Sequence, residues 1–168
     1  YLPLLVQQNA LVTFQVTSSL HSLLRTLDNN IILTNDLPRE DQIDFEVPLM
    51  SLPHLFNTDF HTIPALSPYL YADKIKVKAW AEKLCEGKFR IGICWQGAKS
   101  KVDVGRSFPL SLFEKISRIS DVELISLHKG LGEDQVSDVN FNLTSFDGNF
   151  DTGTDAFIDT AAIMANCD

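Results

Sequence analysis

Paired cysteines are missing from this sequence. The three present, Cys85, Cys94 and Cys167, are odd in number and match neither a disulfide framework nor a metal-ligand spacing. That sets aside a cystine-stapled fold and favours a reducing, cytoplasmic compartment. Long hydrophobic runs are missing too. Nowhere do about 18 apolar residues follow one another, so no segment reads as a membrane-spanning helix. Positive charge is scarce: Lys and Arg number 14 against 22 Asp and Glu, a formal charge of −8. A nucleic-acid partner needs a basic surface, and this balance argues against one. Apolar residues are plentiful, at 45% of 168. That is enough for a packed core and one ordinary domain or two small lobes.

Some of the basic residues that do occur are gathered in one place, Phe89–Pro109. The stretch opens with Ile91, Gly92, Ile93, Cys94 and Trp95, which reads as a strand buried on both faces, with Cys94 inside the core as a small hydrophobe. Gln96-Gly97 ends the run, and a polar loop carries Lys99, Lys101 and Arg106. Ser107-Phe108-Pro109 leads into an amphipathic helix over Leu110–Ile119, with Ser111 as N-cap and Glu114 as its capping-box partner. Strand, basic loop and helix in this order hold anionic ligands in α/β folds, beyond the carboxyl end of the strand. The same spacing also fits an ordinary strand–helix connection whose charges face water.

The rest of the chain alternates strands and helices. Tyr1–Gln8 reads as the end of a helix, Leu11–Val16 as a strand, Ser19–Leu27 as a helix with His21 on its solvated side, and Ile31–Leu33 as a strand. Phe45–Pro48 reads as one more strand. Pro48, Pro53, Pro64 and Pro68 then forbid a long regular element, and His54 and His61 in that region have no partner at metal or triad spacing. Asp73–Glu86 is a helix closed by Gly87, and Val122–Leu127 a second buried strand ending in Ser126-Leu127-His128-Lys129-Gly130. Two strand ends with small basic turns side by side make a ligand crevice. Leu131–Val139 reads as a short helix and Phe141–Leu143 as a short strand. The last helix, Asp155–Asn166, carries Asp155 as its cap and Asp159 and Thr160 in its first turns. Both ends read as cut, as if the piece were excised from a longer chain.

In order and spacing, these stretches resemble the glycosyltransferase-like region that follows tetratricopeptide repeats in many bacterial proteins. That region is related to the lipopolysaccharide heptosyltransferases and, more distantly, to protein O-GlcNAc transferases. The matching residues are Val47–Pro53, Thr62-Ile63-Pro64-Ala65, Pro68-Tyr69-Leu70, Arg90–Gly97, Arg106–Leu110, Ser126–Gly130 and Asp159–Ala162. The resemblance implies an α/β fold with parts of two Rossmann-like lobes of GT-B type, truncated at both ends. Residues 1–72 would be the latter part of an acceptor-side lobe. Residues 73–168 would be a linker helix and the first half of a nucleotide-sugar-binding lobe.

On the same resemblance the donor is a nucleotide-sugar and no metal or other cofactor is needed. Arg106 and Lys129 would bind the donor phosphates. Trp95, Gln96, Gly97, Ser107, Gly130, Asp159 and Thr160 would line the nucleotide pocket. The acceptor, a protein or a glycan, is not specified, and tetratricopeptide repeats are expected in the parent chain. Relatives carry a glycine-rich acceptor loop and an Asp-Thr…His segment that have no counterpart here, so no catalytic base is assigned and the piece alone is expected not to turn over. Two other readings share these residues: a non-catalytic nucleotide- or protein-binding module with a degenerate transferase fold, and an unrelated α/β domain such as half of a nucleotide-sugar epimerase.

Overall fold

The computed structural model describes residues 1–65, 67–97 and 105–168. Lys99 and Lys101 of the basic loop lie outside the described residues. The chain divides into two compact units, Tyr1–Tyr71 and Ala72–Asp168, and each is built on a short two-stranded parallel sheet flanked by helices.

In the first unit, helix α1 (Leu2–Gln7) carries Pro3 in its first turn, where a missing N–H leaves no bond unmade. Strands β1 (Thr13–Gln15) and β2 (Ile32–Thr34) pair in parallel, with Phe14 beside Leu33. The crossover between them is the 3-10 turn Ser18–Leu20 followed by helix α2 (His21–Leu24). The core gathers Leu2, Val12, Ile31 and Leu52, the last at the start of helix α3 (Leu52–Leu55). Two expectations are corrected here. His21 is half-buried, with Nε2 at 3.1 Å from the Val16 carbonyl. Phe45–Pro48 is not a strand: it pairs with no neighbour, and Phe45 is 94% exposed. A strand needs a ladder partner, and the prolines around this stretch withhold the donors one would use.

In the second unit, helix α4 (Lys74–Ala81) begins at Asp73, whose carboxylate accepts the Lys76 N–H at 2.9 Å. It is shorter than the expected Asp73–Glu86. Gly87, instead of closing the helix, takes its positive φ of 74° in the turn that feeds strand β3 (Phe89–Ile93). Strand β3 pairs in parallel with β4 (Val122–Ser126), Ile91 beside Leu124. Between them run the 3-10 turn Leu110–Phe113 and helix α5 (Glu114–Ser117). Both faces of the sheet are covered, as a parallel sheet requires. One side packs Ile125 with Trp80, Leu84, Phe150, Ala162 and Ile163, the last two from helix α6 (Ile158–Met164). The other packs Ile93, Trp95, Leu110 and Leu124.

Strand alternation corrects the placement of Cys94. Ile93 and Trp95 face inward, so the residue between them faces out, and Cys94 is exposed. The helix after the basic loop starts at Leu110 rather than at a Ser111 cap, with Pro109 at the cap position. Gln135 Oε1 takes the Leu110 N–H at 2.9 Å. Phe141–Leu143 forms no strand; Thr144 makes a single parallel bridge to Ile125. At the amino end of the sheet the Glu123 carboxylate, only 6% exposed, accepts from Thr144 Oγ1 at 2.6 Å and Cys85 N at 3.1 Å, with Arg90 at 3.8 Å. A buried charge of this kind persists because each of its oxygens is met.

Helix α6 is capped by Asp151. Asp151 Oδ1 accepts the Asp159 N–H at 2.6 Å, and Oδ2 accepts the Thr160 N–H at 3.3 Å and its hydroxyl at 2.5 Å. Asp159 answers with its own carboxylate. Oδ1 accepts from Lys76 Nζ at 2.7 Å and Trp80 Nε1 at 3.0 Å, and Oδ2 from the Asp151 N–H at 2.9 Å. Burial pushes the Asp159 carboxyl up, but these bonds and the Lys76 charge outweigh burial and hold it below the ordinary carboxylate value. A carboxyl depressed on folding stabilises the fold above its unfolded value near 4 and loses that contribution as pH falls through the folded value. Asp159→Asn must turn an amide N–H2 toward one of these donors. It is expected to cost about 2–3 kcal/mol at neutral pH, with the difference from wild type shrinking between about pH 5 and pH 2. Urea denaturation of both proteins across that range checks it; a pH-independent difference would show that the ionised carboxylate is not the stabilising form.

Candidate functional site

The carboxyl ends of β3 and β4 lie side by side, and side-chain contacts join the segments leaving them. Trp95, two residues past β3, is 1% exposed. Its indole N–H donates to the Gly132 carbonyl at 3.0 Å, and its ring stacks on His128 with centroids 4.1 Å apart and 25° between planes. His128 is 5% exposed, with Nε2 at 2.8 Å from the Leu131 carbonyl. A carbonyl only accepts, so Nε2 carries a proton. Gly130 has φ 91° and donates its N–H to Glu133 Oε1 at 2.8 Å; Gly132 has φ 103°. The turn Lys129–Gly132 is thus shaped by two glycines in conformations that other residues rarely adopt.

Three of the residues predicted from sequence meet on the β3 side of this edge. The Gln96 side chain lies against Gly132 and accepts from Gln135 Nε2 at 3.1 Å. The Gly97 N–H donates to Ser107 Oγ at 3.1 Å, which closes the two ends of the basic loop on each other. Arg106, next to Ser107, is exposed. The other predicted residues have different employment. Trp95 is a core residue rather than a pocket wall. Lys129 Nζ donates to the carbonyls of Phe150 and, at 2.8 Å, Asp151, with the Phe150 ring centroid at 5.4 Å. Asp159 and Thr160 are bound into the Asp151–Lys76–Trp80 cluster. These side chains hold a loop and a helix start in place.

Next to β4's end is a cavity of about 280 Å³ lined by Ser126, His128, Glu133, Ser145 and Asp147, with Val136 and Gly148 completing the wall. Neither Arg106 nor Lys129 lines it. Two carboxylates make it rich in acceptors, so it suits a ligand group that donates hydrogen bonds and repels a phosphate. No group of three or more His, Cys, Asp or Glu among the described residues is placed to hold a metal ion, and no helix among them is long and apolar enough to cross a membrane. Sequence reasoning missed His128 as a packing partner, and Gly132, Gln135 and Asp151 altogether. The repeated glycine of Gly130-Leu131-Gly132 was the available signal for the turn.

No family model, no curated protein and no solved structure matches the chain.

The two glycines give a paired prediction. A Cβ on Gly130 would meet nothing within 4 Å, whereas one on Gly132 would stand 2.7 Å from Gln96 Oε1. Gly130→Ala is expected to cost about 1–2 kcal/mol of backbone strain, and Gly132→Ala roughly 1–3 kcal/mol more because Gln96 must move. Equal losses in chemical denaturation would show that Gln96 is not pressed against the turn.

Proposed function

We propose that the second unit belongs to a metal-independent, GT-B-type glycosyltransferase and binds the diphosphate of a nucleotide-sugar at the carboxyl edge of β3. The observation that carries this reading is the convergence of Gln96, Gly97 and Ser107 at that edge, beside the exposed Arg106 and against the turn that follows β4. Parallel strands deliver ligands to this edge in α/β folds. Breaking a sugar–phosphate bond places negative charge on the departing diphosphate, and fixed positive groups stabilise that charge as it develops. The Arg106 guanidinium offers a bidentate fork to phosphate oxygens. The carboxylates of the neighbouring cavity keep the phosphates on the Arg106 side. No residue of the chain is assigned as the catalytic base, and the donor sugar and the acceptor are left open.

A second reading is a non-catalytic nucleotide-binding module. What favours it is the commitment of Lys129, Asp159 and Thr160 to contacts within the protein. Calorimetric titration with UDP, GDP and ADP tests what the two readings share. Saturable binding to one of them, weakened by about 1.5–3 kcal/mol in Arg106→Ala, is the expected result. A folded sample that binds none of the three, or binds equally well without Arg106, contradicts the site. Transfer of labelled sugar to an acceptor then separates the readings: transfer that Arg106→Ala abolishes supports the enzyme, and binding without transfer supports the module.

A further inference from the structure

Two side-chain amides meet at this edge, and the hydrogen-bond partners decide which way each one points. An amide oxygen and nitrogen are alike in shape but opposite in chemistry, so their placement follows from what they face. Gln135, on the 3-10 helix Glu133–Asp138, stands between the Leu110 N–H and Gln96. The Leu110 N–H can only donate, so the Gln135 atom at 2.9 Å from it is the oxygen. The other end of Gln135 is then an N–H2 that can only donate, and it meets Gln96 at 3.1 Å. Gln96 must answer with its own oxygen. It is also held flat against the Gly132 backbone, where even a methyl group on that glycine would come within 2.9 Å of its Cδ.

What remains of Gln96 is its N–H2. Among the described residues no protein acceptor takes it. We propose that Gln135 is a positioning residue: by accepting from Leu110 it turns the Gln96 amide so that its N–H2 faces the ligand and donates to an oxygen of a bound nucleoside diphosphate. The inference rests on the nucleotide reading of this edge and adds to it. The cavity by β4 offers acceptors through Glu133 and Asp147, and Gln96 offers the donor on the β3 side. Gln135 decides that polarity among the described residues, because a donor in place of its oxygen would face the Leu110 N–H head-on.

The side-chain amide signals of Gln96 and Gln135 in 1H–15N spectra of the 168-residue chain test this. In the free protein the Gln135 pair is expected to be protected from exchange and the Gln96 pair to be solvent-like. Addition of UDP or GDP is expected to shift the Gln96 pair. Gln135→Glu keeps an acceptor for Leu110 but presents a second oxygen to Gln96, whose amide then reverses. Its N–H2 becomes the protected pair, stops responding to ligand, and affinity falls roughly tenfold, which is about 1.4 kcal/mol. Gln135→Met adds no charge and is expected to weaken binding several-fold in the same direction. A protected Gln96 pair in the free wild-type protein overturns the orientation whatever the ligand does. Wild-type affinity retained in both variants overturns the positioning role. Failure of the wild type to bind either nucleotide overturns the nucleotide reading, and the ligand's part of this inference with it, while the amide orientation is read separately in the free protein.

Discussion

The hydrogen bond from the Trp95 indole to the Gly132 carbonyl, 3.0 Å long and buried, ties the end of one parallel strand to the turn that follows the other. Parallel strands share a ladder along their length, but nothing in that ladder fixes the segments that leave their ends. Here one aromatic residue makes the buried part of that connection. Its ring packs among Ile93, Leu110 and Leu124 and stacks on His128, and its single polar atom reaches the turn. A buried indole N–H without an acceptor would cost the fold about 1–3 kcal/mol. The turn therefore has to close where Trp95 needs it.

From that contact outward the edge is a set of mutually dependent bonds. Gly132 takes φ 103° to present its carbonyl to Trp95, and its bare Cα lets Gln96 lie flat. Gln96 meets Gln135, Gln135 caps the turn at Leu110, and Leu110 returns to the same apolar cluster as Trp95. On the opposite face, Lys129 and the Asp151–Asp159 pair join the loop after Thr144 to helices α4 and α6. The edge is therefore held from both sides by contacts within the protein, and for the nucleotide site proposed there such an arrangement would spare the cost of ordering it on binding.

Much of this architecture is legible in the sequence because burial dictates it. The strands read over Ile91–Trp95 and Val122–Leu127 and the helix read over Asp73–Glu86 follow from apolar patterning, and the structure forms them over Phe89–Ile93, Val122–Ser126 and Lys74–Ala81. Other features were hidden for physical reasons. Cys94 and Trp95 look alike in a hydropathy count, and only strand alternation sends one to solvent and the other to the core. Asp151 caps helix α6 from a loop outside it, a role that no local pattern announces. Lys129 reads as a free cation, yet two backbone carbonyls brought near by the chain's path claim it. Phe45–Pro48 has the composition of a strand, but a strand exists only where an edge is offered to it. The Gln96–Gln135 pair, 39 residues apart in sequence, was not legible at all.

Trp95 is the fastener of this edge, and its indole N–H is buried in the contact that holds the two strand ends together. Native-state hydrogen exchange of the Trp95 indole N–H, followed by NMR without ligand, tests that most directly. The account predicts that this proton exchanges only through openings nearly as costly as global unfolding, in step with the amides of β3 and β4. Exchange at the rate of a solvent-exposed indole, while those strand amides stay protected, would contradict it.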